Sequence, residues 1–518
     1  MSGHPDRDQA QTRRQAAMAA AAEVAPEPTG LVEYNSAGKV LLIGPPVALL
    51  AALPQLDPAL SAHCLFTSKP ATPPEGVTYQ VADVAGITLS GHMGDYAVGI
   101  GAADPAASSS GFDLVVDLGT PPRLQMPLKP IGYFAPQDAA ALRQTLAELP
   151  GLVGRFEKPQ FFGYDPDICA HGASGIAGCR RCLDACPAVA ITSLGETVEV
   201  DPYLCQGGGI CATVCPSGAM TYRYPRPADT LTRIWRMLQT FRQGGGSGAV
   251  LLLHGAATEL PPLDERTLPL ALEELASAGL EIWLSALAYG AQQVLLLRDD
   301  DLPEPVAEAL EAQRAIANAT LQGIGHPAAV HWSDQVPGGD GIVVPAAGYA
   351  GQNDKRQNLF LAIDHLATHA PVPTAETTLP DGAPLGRVQV AEACTLCMAC
   401  TSVCPTKALS AGGDRPALRF FEANCVQCGL CAKACPERVI ELQPRVLYDA
   451  ERRRQPVTLR EEEPFCCISC GKPFATRSVI EKMQQKLAGH WMYQDDAARR
   501  RLSMCDDCRV VDMMRSAS

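Results

Sequence analysis

The feature that most constrains this chain is a doubled cysteine run between Cys394 and Pro436. The first run is Cys394, Cys397, Cys400 and Cys404, followed by Pro405; the second is Cys425, Cys428, Cys431 and Cys435, followed by Pro436. Each reads C-x2-C-x2-C-x3-C-P, a spacing that ligates [4Fe–4S] clusters in bacterial chains. The reason is compactness: three thiolates within seven residues must wrap one small cuboid, with backbone N–H groups turned towards its sulfurs. A proline after the last cysteine has no N–H to satisfy and a preset φ, which suits the first position of a short exit helix. Zinc sites usually show two C-x2-C pairs instead, and disulfides need an oxidising compartment.

On these residues, 394–445 resembles the two-[4Fe–4S] bacterial ferredoxins. The resemblance implies crossed ligand sets, with Cys394, Cys397, Cys400 and Cys435 on one cluster and Cys425, Cys428, Cys431 and Cys404 on the other.

A second cysteine region spans about 160–225. Cys182 to Pro187 parallels Cys400 to Pro405, and Cys211 to Pro216 parallels Cys431 to Pro436. In this alignment Ile176 and Gly208 stand where two ligands belong. Cys169, in a glycine-rich loop, is the candidate substitute, which gives Cys169, Cys179, Cys182 and Cys215 for one [4Fe–4S] cluster; the alternative is a structural free thiol. The other set has only Cys186, Cys205 and Cys211. Three thiolates permit a [3Fe–4S] cluster or a [4Fe–4S] cluster with one non-thiolate ligand, and a relic without a cluster is the rival. His171 is a candidate odd ligand or a hydrogen-bond donor. Arg180 and Arg181 flank ligands and could raise a potential or dock an acidic partner, or be a solvated pair.

Near the end, Cys467 and Cys470 precede Cys505 and Cys508, with Cys466 as a spare. Two C-x2-C knuckles indicate a tetrahedral four-thiolate site, with zinc ahead of a single iron or a further cluster. Such a closed site is structural, cross-linking a tail too short for its own core.

At 518 residues the chain holds several units. The expected fold class is multidomain α/β. We expect a disordered or loosely helical tail over 1–30, an α/β unit over 31–155, a degenerate dicluster region over 160–225 and a second α/β unit over 228–375. The complete dicluster region follows at 388–445 and the four-cysteine tail at 460–515. In the first α/β unit the pattern predicts strands at Lys39–Ile43, His63–Phe66, Tyr96–Ile100 and Phe112–Leu118, and a helix at 137–149. In the second it predicts strands at Ala249–His254, Glu281–Leu284 and Gln293–Leu297, and helices at Leu268–Ala278, Pro303–Ala317 and Lys355–Ala370. The turn after Ile43 is neither G-x-G-x-x-G nor a Walker loop. Isolated Cys64 reads as a buried small hydrophobe.

A net charge of −14 argues against nucleic acid as the main partner. The apolar stretches are strand-length, so no membrane span is expected. The 21 cysteines fall in metal-ligand spacings, which points to a reducing, cytoplasmic location. Arg13-Arg14 lacks the apolar stretch that an export signal needs.

More loosely, the whole chain resembles the multi-cluster ferredoxin-type proteins that accompany bacterial formate dehydrogenases and hydrogenases. Ile282–Leu295 is also faintly similar to hydrogenase iron–sulfur (delta-type) subunits, without the cysteines those would use. These resemblances imply single-electron transfer to or from a partner oxidoreductase; with no dinucleotide fingerprint or nucleophile elbow in the sequence, no small-molecule substrate site is expected. Two rivals stay open: an oxidoreductase with flavin or another cofactor in its α/β units, and a maturation or redox-sensing protein.

Overall fold

The computed structural model describes residues 4–101, 109–334, 341–413 and 415–517. The first α/β unit is built on a parallel sheet. In spatial order its strands are Thr78–Val81, Ser61–Phe66, Lys39–Gly44, Leu114–Asp117 and Tyr133–Phe134. Val40 to Ile43 are fully buried, as a strand covered on both faces requires. On one face, helices Pro46–Ala52 and Ala139–Glu148 pack Leu49, Ala52 and Leu146 against Val40 and Leu42. The other face is covered by a small antiparallel sheet, Ile87–Ser90, Tyr96–Ile100 and Ser109–Phe112, which sets Tyr96, Val98 and Phe112 against Leu41, Ile43 and Val115.

The second unit has a parallel sheet in the order Thr267–Leu272, Val250–Gly255, Gln293–Leu296, Val330–Trp332. Helices Glu304–Gln322 and Lys355–Thr368 form where the pattern placed them. Two elements are exchanged. The stretch expected as helix, 268–278, is the strand Thr267–Leu272 with a single 3-10 turn after it, and the stretch expected as strand, 281–284, lies in the helix Leu280–Ala288. Every residue of that helix is buried, so no polar face marks its period.

The chain's start is also more ordered than a loose tail. Residues 1–3 lie outside the described residues, and His4–Ala22 is a helix laid on helix Pro227–Gln243. Its alanines allow close approach: Ala17 and Ala21 are buried in the second unit's core, and the Arg13 guanidinium donates to the Gly245 carbonyl at 3.2 Å.

That core does not stop at the unit's edge. It takes in Ala185, Ile210 and Val214 from the first cysteine region and Leu385, Val446 and Tyr448 from the second. The two regions repeat one plan. In the first, Phe162–Tyr164 pairs antiparallel with Met220–Tyr222, and Ile191–Ser193 with Val198–Val200. In the second, Gly386–Val390 pairs with Ile440–Leu447, and Leu409–Ala411 with Ala417–Phe420. The tail is a hairpin, Pro464–Cys466 with Pro473–Thr476, followed by helices Arg477–Leu487, Asp496–Arg501 and Asp506–Ala517. Among the described residues no helix is long and apolar enough to cross a membrane.

Candidate metal centres

The second cysteine region closes round two small cavities. One is lined by Cys394, Cys397, Cys400 and Cys435, the other by Cys404, Cys425, Cys428 and Cys431. The fourth cysteine of each run thus sits with the first three of the other run. The remaining walls are mainly apolar: Leu396, Leu418, Val439 and Ile440 in the first, and Val388, Leu409, Phe420 and Leu430 in the second.

Local backbone geometry turns donors towards the sulfurs. Leu396 and Met398, and likewise Gln427 and Gly429, have positive φ between successive cysteines. The N–H of Leu396 consequently bonds the Cys394 sulfur, and those of Gln427 and Leu430 bond Cys425 and Cys428. Ala408 N–H donates to the Cys404 sulfur at 3.2 Å. Three residues after each run's last cysteine, Val189, Gly218, Lys407 and Arg438 all have positive φ. For β-branched Val189 this is a strained conformation, held by the fold around it.

Burial pushes the Cys400 thiol up to about 12 and Cys425 to about 11, with neighbouring thiolates adding to the rise. Ionised sulfurs crowded in an apolar cage repel one another, so they need a cationic core, and metal uptake must displace protons. The donor set and the N–H groups aimed at sulfur fit a four-iron cluster.

The first region assembles its cysteines by a different local route. Gly178 N–H donates to His171 O at 2.7 Å and Cys179 N–H to Ala170 O at 2.8 Å, which brings Cys169 alongside Cys179. Cys182 is pushed up to about 12 by burial and then by Cys215, Cys179 and Cys169, so these four share one neighbourhood. His171 is not turned to a cluster. Its Nδ1 lies 2.8 Å from Cys179 O and its Nε2 2.7 Å from Ser193 Oγ, so both ring nitrogens are engaged. Arg180 is exposed beside Asp184 at 3.6 Å, whereas the Arg181 N–H bonds the Cys179 sulfur.

Cys186, Cys205 and Cys211 also gather: burial, then Cys205 and Cys186, raises Cys211 well above the usual thiol range. Gly207 N–H bonds Cys205 as Gln427 N–H bonds Cys425. Gly207 and Gly209 share the positive φ of Gln427 and Gly429, so Gly208 occupies the backbone position of Cys428 without its thiol.

In the tail, the sulfurs of Cys467, Cys470, Cys505 and Cys508 all lie within 4.8 Å of one another, and Cys470 and Cys505 are 3.7 Å apart. Four thiolates at Zn–S distances of about 2.3 Å stand about 3.8 Å apart in a tetrahedron, so the group fits that metal. Burial alone would raise Cys467, but N–H groups of Cys505, Cys470 and Ser469 bring it down to about 6. Cys466 is exposed and outside the group, and Cys64 is buried alone with its thiol raised to about 11 by burial. The tail docks beside the cavity of Cys394, Cys397, Cys400 and Cys435: Thr476 Oγ1 donates to Thr395 O at 3.0 Å, and Lys482 pairs with Glu437.

A contact that the cysteine pattern does not announce comes from the second α/β unit. Lys355 and Arg356, at the start of helix Lys355–Thr368, reach into both cysteine regions through backbone carbonyls. Only the basic pair itself is visible in the sequence.

Comparison with known proteins agrees with this geometry. The family described as "4Fe-4S dicluster domain" matches residues 177–219 and 393–439. A stretch of 61 residues, 12% of this chain, is 36% identical to the pyruvate synthase subunit PorD of Thermotoga maritima. The match spans 60% of that relative's length. The chain therefore carries two 4Fe-4S dicluster domains, one in each cysteine region.

Proposed function

We propose that this chain carries single electrons between a partner oxidoreductase and another redox centre. The observation that carries this reading is the crossed lining of the two cavities at Cys394–Cys435. When bound, each [4Fe–4S] cluster accepts and releases one electron. The chain's own residues do the rest: thiolates hold the irons, N–H groups stabilise the sulfurs' charge, and apolar walls keep water out. Cys394, Cys397, Cys400 and Cys435 hold one cluster, and Cys404, Cys425, Cys428 and Cys431 a second. Cys169, Cys179, Cys182 and Cys215 hold a third, and Cys186, Cys205 and Cys211 a fourth, of three irons or of four with one non-thiolate ligand. The tail group holds zinc and serves as structure.

The partner supplies the substrate chemistry. Its class follows either from the resemblance to proteins accompanying formate dehydrogenases and hydrogenases or from the stretch similar to a pyruvate synthase subunit. The test is iron, sulfide and zinc content of anaerobically purified protein, with EPR before and after dithionite. About 15 or 16 Fe and one Zn per chain, with reversible reduction, is the expected result. About 8 Fe would reduce the first region to a scaffold, and iron that cannot be cycled would overturn electron transfer.

A further inference from the structure

The cysteine-free α/β unit sits between two iron–sulfur modules and holds no cluster ligand by thiolate, so its role needs a separate explanation. Its helix Lys355–Thr368 begins at the junction of the modules. The half-buried Arg356 guanidinium spans that junction: Nη1 donates to Pro216 O at 3.3 Å and Pro384 O at 3.0 Å, and Nη2 to Ala423 O at 2.7 Å and Cys425 O at 3.0 Å. Pro216 follows Cys215 in one module, and Cys425 is in the other. All four acceptors are neutral carbonyls, so the cation is fixed in place without being neutralised. The charged groups that act on it most are Cys425, Asp354 and Arg453. A guanidinium is not deprotonated in proteins, so Arg356 is charged at neutral pH.

Other contacts hold the junction shut. Lys355 Nζ donates to Ala212 O at 2.7 Å and Thr213 O at 2.5 Å, between Cys211 and Cys215. Lys433 Nζ crosses from the second module to Ala177 O at 2.7 Å. A Cβ at Gly178 would stand 3.0 Å from the Leu430 side chain, so the residue before Cys179 touches the residue between Cys428 and Cys431.

We propose that Arg356 is the positioning residue for an electron step between the modules: it holds the site of Cys169, Cys179, Cys182 and Cys215 against that of Cys404, Cys425, Cys428 and Cys431, and its fixed positive charge favours reduction of the cluster at Cys425. The inference rests on the ligand sets of the proposed function. One electron leaves the first site and enters the second, with no bond made or broken and no proton moved. A fixed cation nearby favours the added electron, and the low-dielectric surroundings keep that effect from being screened.

The experiment is an EPR-monitored redox titration of the full chain with its iron loaded, wild type against Arg356→Gln and Asp354→Asn. In Arg356→Gln, one midpoint is expected to fall by about 59 mV, a tenfold change in that cluster's oxidised-to-reduced ratio for a one-electron couple. The magnetic coupling between neighbouring reduced clusters should weaken with it. Asp354→Asn keeps a residue that caps helices well and removes a negative charge near Arg356, so the same midpoint should rise even if Arg356→Gln loses iron. Iron-replete variants with every midpoint unchanged would overturn the inference while leaving the proposed function intact. A wild type without clusters would overturn the proposed function instead.

Discussion

Gly208→Cys should complete the three-thiolate site. The three glycines of Gly207-Gly208-Gly209 are sterically unlike. A Cβ at Gly207 would stand 2.8 Å from the Phe161 ring, and one at Gly209 would stand 2.5 Å from Ser277 Cα; both residues also have positive φ. A Cβ at Gly208 meets nothing within 4 Å, and its φ is outside the left-handed region. The substitution therefore carries little steric cost, and trading glycine for a side chain it can accommodate gains about 0.4–1 kcal/mol from the unfolded state. Because the flanking φ values match those around Cys428, the new thiol starts from the backbone position where Cys428 supplies a ligand. Anaerobic iron analysis and EPR are the assay. If the native site holds three irons, its oxidised signal should vanish, and iron should rise by about one per chain, the difference between a three- and a four-iron cluster. Gly207→Cys and Gly209→Cys should instead lose iron. An iron-replete Gly208→Cys protein with its spectrum unchanged and its new thiol open to alkylation would refute the argument.

Crossed ligation predicts that Cys435→Ser combined with Cys394→Ser loses about 4 Fe, no more than either alone, whereas Cys435→Ser with Cys425→Ser loses about 8; metal analysis showing the reverse pattern would refute it. Cys169→Ser should cost the first region a cluster, while His171→Gln, whose ring only bridges Cys179 O and Ser193 Oγ, should keep its iron. Chelating the tail metal should unfold the tail, with protease cuts confined to about 464–513, because its buried core is little more than Cys467, Met504 and Cys505; structural zinc contributes about 10–16 kcal/mol to such sites. Burial lowers His326 and His331 below 6.5. The unfolded chain therefore binds protons first, so their contribution is full above pH 6.5 and is lost as pH falls through the lowered values. Denaturation followed by fluorescence of buried Trp283 and Trp332 should show this acid limb, flattened in the double His→Gln variant.

The centres were legible because ligand spacing is local chemistry. Cys467, Cys470, Cys505 and Cys508 come together as the knuckles suggested, and Cys404 and Cys435 each line the cavity of the other run's first three cysteines. Strands buried on both faces, such as Lys39–Gly44, were legible as apolar runs. Helix Leu280–Ala288 was not, because an element surrounded by core has no polar stripe from which to read its period. The alanine-rich start read as disordered or loosely helical because its partner helix lies more than two hundred residues away. Arg356 was hidden for the same reason, since its hydrogen bond to Pro216 O spans 140 residues of sequence.

The core shared between the second α/β unit and both cysteine regions also orders events at the ribosome. Ile210 and Val214, beside Cys211 and Cys215, belong to one buried cluster that also holds Leu366 and Tyr448. The first set of thiols is therefore made long before the large core beside it is complete. The core beside the first module is thus completed only by residues synthesised as late as Val446 and Tyr448.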